Sequence, residues 1–262
     1  MLRKELYSIL ISKKTYIVFG ILLAITFYDL WINFNNSIYG QYSYDGNVLW
    51  DQVHTPPFMA FLSGRSEGHI TAILYEWMIP LYLLVLIGDS YVSEYKSGAW
   101  LAISIRSNKK QILYARLLAT FIVSFTIMFL TFLINYICCL LIFSKGTSTP
   151  LPMDFHIIGK LSFDYPYITY IVYMILDSII MALCGVMCSA LSFCIKDMKY
   201  LYATSFLIWL LLIMLPWSIT YVLQPFIEYG LKEIVIALSI FFMILGVCIY
   251  LAYREKVIKD EF

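Results

Sequence analysis

The chain has 262 residues, of which 61% are hydrophobic and 13% are charged, and its formal net charge is +1. Soluble globular domains are closer to ~45–50% apolar and ~25% charged. This composition therefore excludes an ordinary soluble domain and indicates a protein that meets lipid over much of its surface. A net charge of +1 excludes no partner by itself, but the positions of the charges along the chain are informative.

The first thirteen residues, MLRKELYSILISK, predict a short amphipathic helix. Four apolar side chains share one helical face, namely Leu2, Leu6, Ile9 and Leu10, and the basic and hydroxyl residues lie elsewhere. A helix of this kind suits the inner membrane interface, where it lies flat. A charged tail in front of the first span is the alternative.

Six segments are long and apolar enough to cross a hydrocarbon core of ~30 Å, which requires ~20 residues per helix. They run over residues 15–34, 70–88, 112–143, 168–195, 201–217 and 233–253. The first contains Asp29 and lacks a small-residue cleavage site, so we interpret it as a membrane anchor and not as a signal peptide. The predicted fold class is all-α, with residues 1–262 forming one polytopic membrane domain.

The lysine and arginine residues predict that both termini are cytoplasmic. With the N-terminus inside, all of the 18 basic residues lie on the cytoplasmic side except Arg65, Lys145, Lys160 and Lys232. This asymmetry follows the positive-inside rule. The largest inner loop between spans is then SEYKSGAWLAISIRSNKKQ, residues 93–111, for which we predict a short interfacial helix ending near Ser107 and Asn108.

These features together resemble the ABC-2 type permease family, the membrane subunits of ABC exporters. In that family the loop after the second span contains an acidic residue, a glycine, an apolar stretch, a polar and basic turn, and a basic residue at the start of the third span. The matching positions are Glu94, Gly98, residues 100–105, residues 106–110 and Arg116. Ala99 departs from the family, which often has a hydroxyl residue there, and no proline precedes the basic turn.

The resemblance implies that the loop is a coupling helix that docks on a cytoplasmic ATPase subunit. Its candidate contact residues are Glu94, Lys96, Gly98, Trp100, Arg106 and Lys109. A loop that only fixes the orientation of the spans is the alternative. The sequence contains no G-x-x-x-x-G-K-[ST] phosphate-binding loop, so ATP and Mg²⁺ are expected on the partner, and this chain is expected to have no cofactor of its own.

The resemblance also implies a second permease chain, identical or homologous, in the plasma membrane of a bacterium. The partners expected are therefore the ATPase, the second permease and the lipid bilayer, with no nucleic acid. On the fourth span, Gly185 and Ser189 give a small-xxx-small face. Such a face fits packing either within one subunit or across a dimer, and the sequence leaves both open.

Three acidic residues, Asp29, Glu76 and Asp177, lie in apolar stretches without lysine or arginine. A carboxylate in hydrocarbon costs at least a few kcal/mol, so each is expected to face protein or water. Asp177 is the deepest, about nine residues or ~14 Å from the outer end of its span. We consider these residues a candidate substrate path for cationic cargo, with structural hydrogen bonding as the alternative.

The function predicted from the sequence is the export of an amphipathic peptide or a hydrophobic drug-like molecule. The alternatives are an ion-coupled secondary transporter and an immunity permease against bacteriocins or antimicrobial peptides. The three histidines have no metal-ligand spacing, and no paired catalytic groups are found. We therefore predict no metal site and no enzymatic activity in this chain.

Overall fold

A computed structural model of the protein describes residues 1–38, 48–63, 70–99, 108–150, 157–224, 226 and 230–258. Within these residues the structure is 84% helix without β-strands, which confirms the all-α class. A helix bonds its own backbone N–H and C=O groups to each other, and an apolar chain in lipid depends on this because no water is present to bind them.

The described residues form helices of very different lengths. In chain order they are α1 (Leu2–Ile11), α2 (Lys13–Ile38), α3 (Pro56–Met59), α4 (Ile70–Trp77), α5 (Ile79–Gly88), α6 (Asp89–Lys96), α7 (Lys109–Ile142), α8 (Ile157–Asp164), α9 (Pro166–Cys194), α10 (Met198–Met214) and α11 (Leu231–Ile258). Short 3-10 turns occur at Phe61–Ser63 and Ile219–Tyr221. The predicted N-terminal helix is therefore present as α1.

Four helices, α2, α7, α9 and α11, are long and apolar enough to cross a membrane, and α4 with α5 makes a fifth if the bent pair is one span. These helices indicate a multi-pass membrane protein. The remaining predicted span corresponds to α10, which has 17 residues. At 1.5 Å per residue it is about 26 Å long, slightly less than a hydrocarbon core of ~30 Å.

The second predicted span is broken in the middle. α4 and α5 meet at Met78 with a bend of 46°. Pro80 has no N–H group, so the carbonyl of Glu76, four residues earlier, loses its usual helical donor. The indole N–H of Trp209 donates to this carbonyl instead, at 2.8 Å. A side chain of α10 therefore stabilises the break.

The segment Pro56–Ser63, which connects the first two predicted spans, is inserted into the bundle. Phe58, Phe61 and Leu62 are buried. Their backbone still needs hydrogen-bond partners, and two asparagines provide them. The N–H of Phe61 donates to Asn135 Oδ1 at 3.0 Å, and Asn33 Nδ2 donates to the carbonyl of Met59 at 3.2 Å. The segment therefore packs among α2, α7 and α9.

Helix α9 packs on α5 and α7 through its small residues. A Cβ atom added at Gly185 would lie 2.8 Å from Ser124 Oγ and 3.3 Å from Leu83 Cδ1. Ser189, one turn further along, is also buried. The small-xxx-small face of the fourth span therefore packs within this chain, which decides between the two alternatives that the sequence left open.

Replacing Asn135 with leucine tests how the inserted segment is held. The amide of Asn135 also donates to the carbonyl of Thr26 at 3.1 Å. Leucine leaves the buried N–H of Phe61 without a partner, so we expect the free energy of unfolding in detergent to fall by roughly 1–3 kcal/mol. Thr126→Val on the same helix is the control, because the exposed Thr126 hydroxyl bonds only within α7, to Ile122. Equal stability of both variants would contradict this role.

Candidate functional site

A buried arginine joins three helices at one end of the bundle, which we call the inner end because the sequence predicts it to be cytoplasmic. Arg116 in α7 is 1% exposed. Its Nη2 donates to Glu94 of α6, and its Nε lies 3.4 Å from Glu5 Oε1 of α1. The guanidinium carbon lies 4.5 Å from the centre of the Tyr91 ring. These four residues are named the Arg116 cluster.

The two glutamates of the cluster neutralise the charge of the Arg116 guanidinium, which is buried away from water. Removing an ion from water costs several kcal/mol, which is offset only by close partners, and the planar guanidinium has donors for two carboxylates at once. Glu5 and Glu94 are more exposed, at 16% and 35% of their side chains. Burial raises the pKa of Tyr91 above its ordinary value, so its ring faces Arg116 as a neutral phenol.

A polar cleft of about 300 Å³ lies beside the cluster. Its lining includes Glu5, Ser8 and Ser12 from the N-terminal region and Ser90 and Glu94 from α6. α1 and α6 both border this space, and the Arg116 side chain contacts a glutamate of each helix. The ion pairs of Arg116 therefore join α6 to α1 and α7 at this end of the bundle.

Tyr95 connects α6 to the ends of two further helices. Lys196, which follows α9, has its Nζ atom 5.0 Å from the centre of the Tyr95 ring. Lys256, at the end of α11, has its Nζ atom 4.3 Å from the same ring centre. Cation–π contacts of this kind are worth ~0.5–1 kcal/mol at exposed sites. α6 is thus in contact with Arg116 of α7, with Lys196 after the end of α9 and with Lys256 of α11.

The structure describes four of the six predicted coupling residues. Glu94 belongs to the Arg116 cluster, Lys96 is exposed at the end of α6, and Lys109 begins α7. Gly98 has φ = +74°, a left-handed conformation that favours glycine and ends helices. The other two, Trp100 and Arg106, lie outside the described residues.

A second group of candidate residues lies at the break between α4 and α5. Glu76 is half-buried and lines a cleft of about 390 Å³. The cleft is also lined by Ser218, Thr220 and Gln224, which belong to the segment between α10 and α11. A carboxylate at a helix break therefore faces a polar opening.

Asp177 lies behind this cleft and is completely buried. Neither carboxylate oxygen has a hydrogen-bond partner among the described residues. Its neighbours include Glu76, Tyr75, Tyr170 and Tyr173. A carboxyl group in such surroundings is stable only when it binds a proton or meets a cation.

Asp29, the third predicted substrate-path residue, holds α2 against α4. It accepts hydrogen bonds from Thr71 Oγ1 at 2.7 Å and from Asn33 Nδ2 at 3.0 Å. Asn33 in turn binds the inserted segment through Met59. These bonds give Asp29 a structural role, and its contact with cargo stays a prediction.

Sequence reasoning missed four residues that build these sites: Glu5, Tyr91, Pro80 and Trp209. The break between α4 and α5 was predictable from Pro80, because a proline inside an apolar span predicts a break. Glu5 was visible as an acidic residue on the polar side of α1. Its partner was not predictable, since it lies in a distant part of the chain.

No family model matches the chain. A protein of Bacillus subtilis (strain 168) named uncharacterized protein YybM is 28% identical to it over 261 residues. The alignment covers 97% of this chain and 98% of that protein. The chain is therefore similar to this protein along its whole length, and the name of that protein assigns no activity.

A double-mutant cycle tests the Arg116 cluster. Arg116→Gln should lower the free energy of unfolding by roughly 3 kcal/mol, because the buried pair is broken. Glu94→Gln should have a clear effect in the native background and a much smaller one when Arg116 is already glutamine. The control is Lys4→Gln, an exposed charge on α1, which should change stability by less than about 0.5 kcal/mol. Additive effects of the two substitutions would contradict the ion pair.

Proposed function

We propose that this chain is the permease subunit of an ATP-driven exporter in a bacterial plasma membrane. In this proposal six spans cross the membrane, both termini are cytoplasmic, and a separate ABC-type ATPase subunit binds and hydrolyses ATP. α10 is short for a span, but a slight local thinning of the bilayer accommodates such a length at a small energetic cost.

The position of α6 is the observation that best supports the proposal. α6 continues from α5 and leads directly into the loop that resembles a coupling helix. The Arg116 cluster connects it to α1 and α7, and Tyr95 connects it to the ends of α9 and α11. A partner that moves the loop therefore moves a rigid helix in contact with several spans, which is a common way to convert a rotation into a tilt.

The proposed cargo is an amphipathic peptide or a hydrophobic drug-like molecule, exported through a pathway formed by two permease chains. One such chain is too small to surround an amphipathic cargo, so the second chain completes the pathway. The cleft at Glu76 supports an opening at the outer end, and the buried Asp177 beside it favours cargo with a positive charge.

An ion-coupled carrier is the second candidate, because the broken helix favours it. Secondary transporters bind their ions at interrupted helices near the middle of the membrane. The break at Met78 lies next to Glu76, and Asp177 lies close to this carboxylate. In this alternative the two acidic residues bind the coupling ion, and no ATPase subunit is needed.

Purification and transport assays separate the two candidates. The tagged chain purified from its native membrane should bring an ATPase subunit with it, and Lys96→Glu should reduce cargo-stimulated ATP hydrolysis and export several-fold. Gly98→Ala should act in the same direction, because φ = +74° is strained for alanine. The control is Lys232→Glu, an exposed residue at the start of α11.

Two results would reject the exporter. One is normal ATP hydrolysis and export in both Lys96→Glu and Gly98→Ala. The other is export that continues without ATP and stops when an ionophore removes the ion gradient, a result that would support the carrier. In the proposed mechanism, loss of ATP stops export whether or not the gradient is present.

Asp177→Asn tests the contact with cargo. The amide preserves the size of the side chain but removes its ability to be ionised. If Asp177 neutralises a positive group of the cargo, export of cationic cargo should fall several-fold and export of neutral cargo should be retained. The variant must be expressed normally for the comparison to apply. Equal export of both cargo types would remove Asp177 from the transport path.

A further inference from the structure

A shallow groove of about 250 Å³ runs between α7 and α11 near the inner end. Leu113 and Tyr114 line it on α7, and Gly246, Ile249, Tyr250 and Tyr253 line it on α11. Tyr114 and Tyr250 are each 59% exposed, so the groove opens sideways on the surface of the bundle. In a membrane, this opening faces the lipids.

The part of the groove beside Gly246, further from the inner end, contains no side chain. A Cβ atom built at this position has no protein atom within 4 Å. The neighbouring Val247 is 54% exposed, so this face of α11 is turned outwards. A side chain at residue 246 would therefore fill the groove without displacing any part of the protein.

Two basic residues, Lys110 and Arg254, lie at the inner end of the groove. On α7, Lys110 is four residues before Tyr114, and on α11, Arg254 is four residues after Tyr250, so each lies on the groove side of its helix. The Nζ atom of Lys110 lies 5.7 Å from the centre of the Tyr253 ring. Both cations are exposed. The apolar groove therefore ends in positive charge.

On α11, the two charged residues that follow Arg254, Glu255 and Lys256, belong to another contact. Lys256 lies over the Tyr95 ring, and both residues act electrostatically on Cys194 at the end of α9. They are therefore turned toward α6 and α9, while Lys110 and Arg254 remain the cations beside the groove.

The dimensions of the groove match one membrane leaflet. From Gly246 to Arg254, α11 rises by about 12 Å, whereas half of a ~30 Å hydrocarbon core is about 15 Å. The apolar walls thus lie at the depth of acyl chains. The tyrosines and the two cations lie where head groups meet water, a depth at which tyrosine is enriched.

We propose that this groove binds one anionic phospholipid from the surrounding leaflet. The phosphate lies between Lys110 and Arg254, and an acyl chain follows the groove past Tyr250 to the space at Gly246. Head groups with a net negative charge are favoured, because basic residues at the membrane surface attract anionic lipids. A bound lipid of this kind holds the start of α7 against the end of α11. The inference does not depend on the exporter proposal.

Native mass spectrometry of the intact purified chain in detergent tests this site. Phosphatidylglycerol and phosphatidylcholine with identical acyl chains are added at equal concentrations, and the bound lipid is counted. We expect the native chain to retain phosphatidylglycerol in preference to phosphatidylcholine. Gly246→Leu should reduce the retained phosphatidylglycerol several-fold, because leucine occupies the place of the acyl chain.

A matched glycine on another helix is the control. Gly20 of α2 is also exposed, and a Cβ atom there likewise has no atom within 4 Å, so Gly20→Leu should leave lipid binding unchanged. The double variant Lys110→Gln with Arg254→Gln should abolish the preference for phosphatidylglycerol while the chain stays folded, which a thermal unfolding curve verifies.

Three results would overturn the proposal: equal retention of both lipids by the native chain, undiminished phosphatidylglycerol on Gly246→Leu, or an equal loss on Gly246→Leu and Gly20→Leu. The first result would show that the two cations do not select the lipid. The second would show that the lipid does not occupy the groove. The third would show that the effect is not specific to this position.

Discussion

The charge of Arg116 has to be neutralised where it lies, and the inner end of the bundle is arranged around this requirement. A guanidinium that is 1% exposed is tolerated only with carboxylates in direct contact. One comes from α1 and the other from α6, so two short helices are fixed on the first turns of α7. Each short helix also buries a few side chains: Ile9 in α1, and Tyr91 and Val92 in α6. Their positions therefore depend on the ion pairs as well as on this packing.

The other end of the bundle obeys a related constraint, which concerns the backbone. Where the chain departs from a helix away from water, its N–H and C=O groups need partners from side chains. Asn33 and Asn135 supply them to the inserted segment, and Trp209 supplies one to the break at Glu76. Irregular structure of this kind in membrane proteins is found where it lines a cavity, and the cleft at Glu76 lies beside the break. The two ends of the bundle thus differ in structure. At the inner end ion pairs hold α6, and at the other end a carboxylate borders a cleft.

Hydropathy alone was enough to locate the long helices, because span length and apolar composition are local properties of the sequence. The predicted 112–143 and 168–195 agree with α7 and α9 within a few residues. The prediction was incomplete for α4 and α5, where a hydropathy window averages over Pro80. It also did not include residues 56–63, whose apolar run is too short to count as a span. Glu94 was identified from a family resemblance, but its partner Arg116 depends on how α6 meets α7. Such a contact between helices leaves no periodic pattern in either one.

The central claim is that α6 and the loop after it transmit the action of an ATPase partner to the spans. Photo-crosslinking in native membranes tests it most directly, with a benzophenone amino acid in place of Lys96 and, in a matched chain, in place of Lys232. Both residues are exposed basic side chains, but the proposal puts them on opposite sides of the membrane. It predicts a covalent adduct with an ATP-binding subunit at position 96 and none at position 232. Absence of such an adduct at 96, or equal adducts at both positions, would contradict the account.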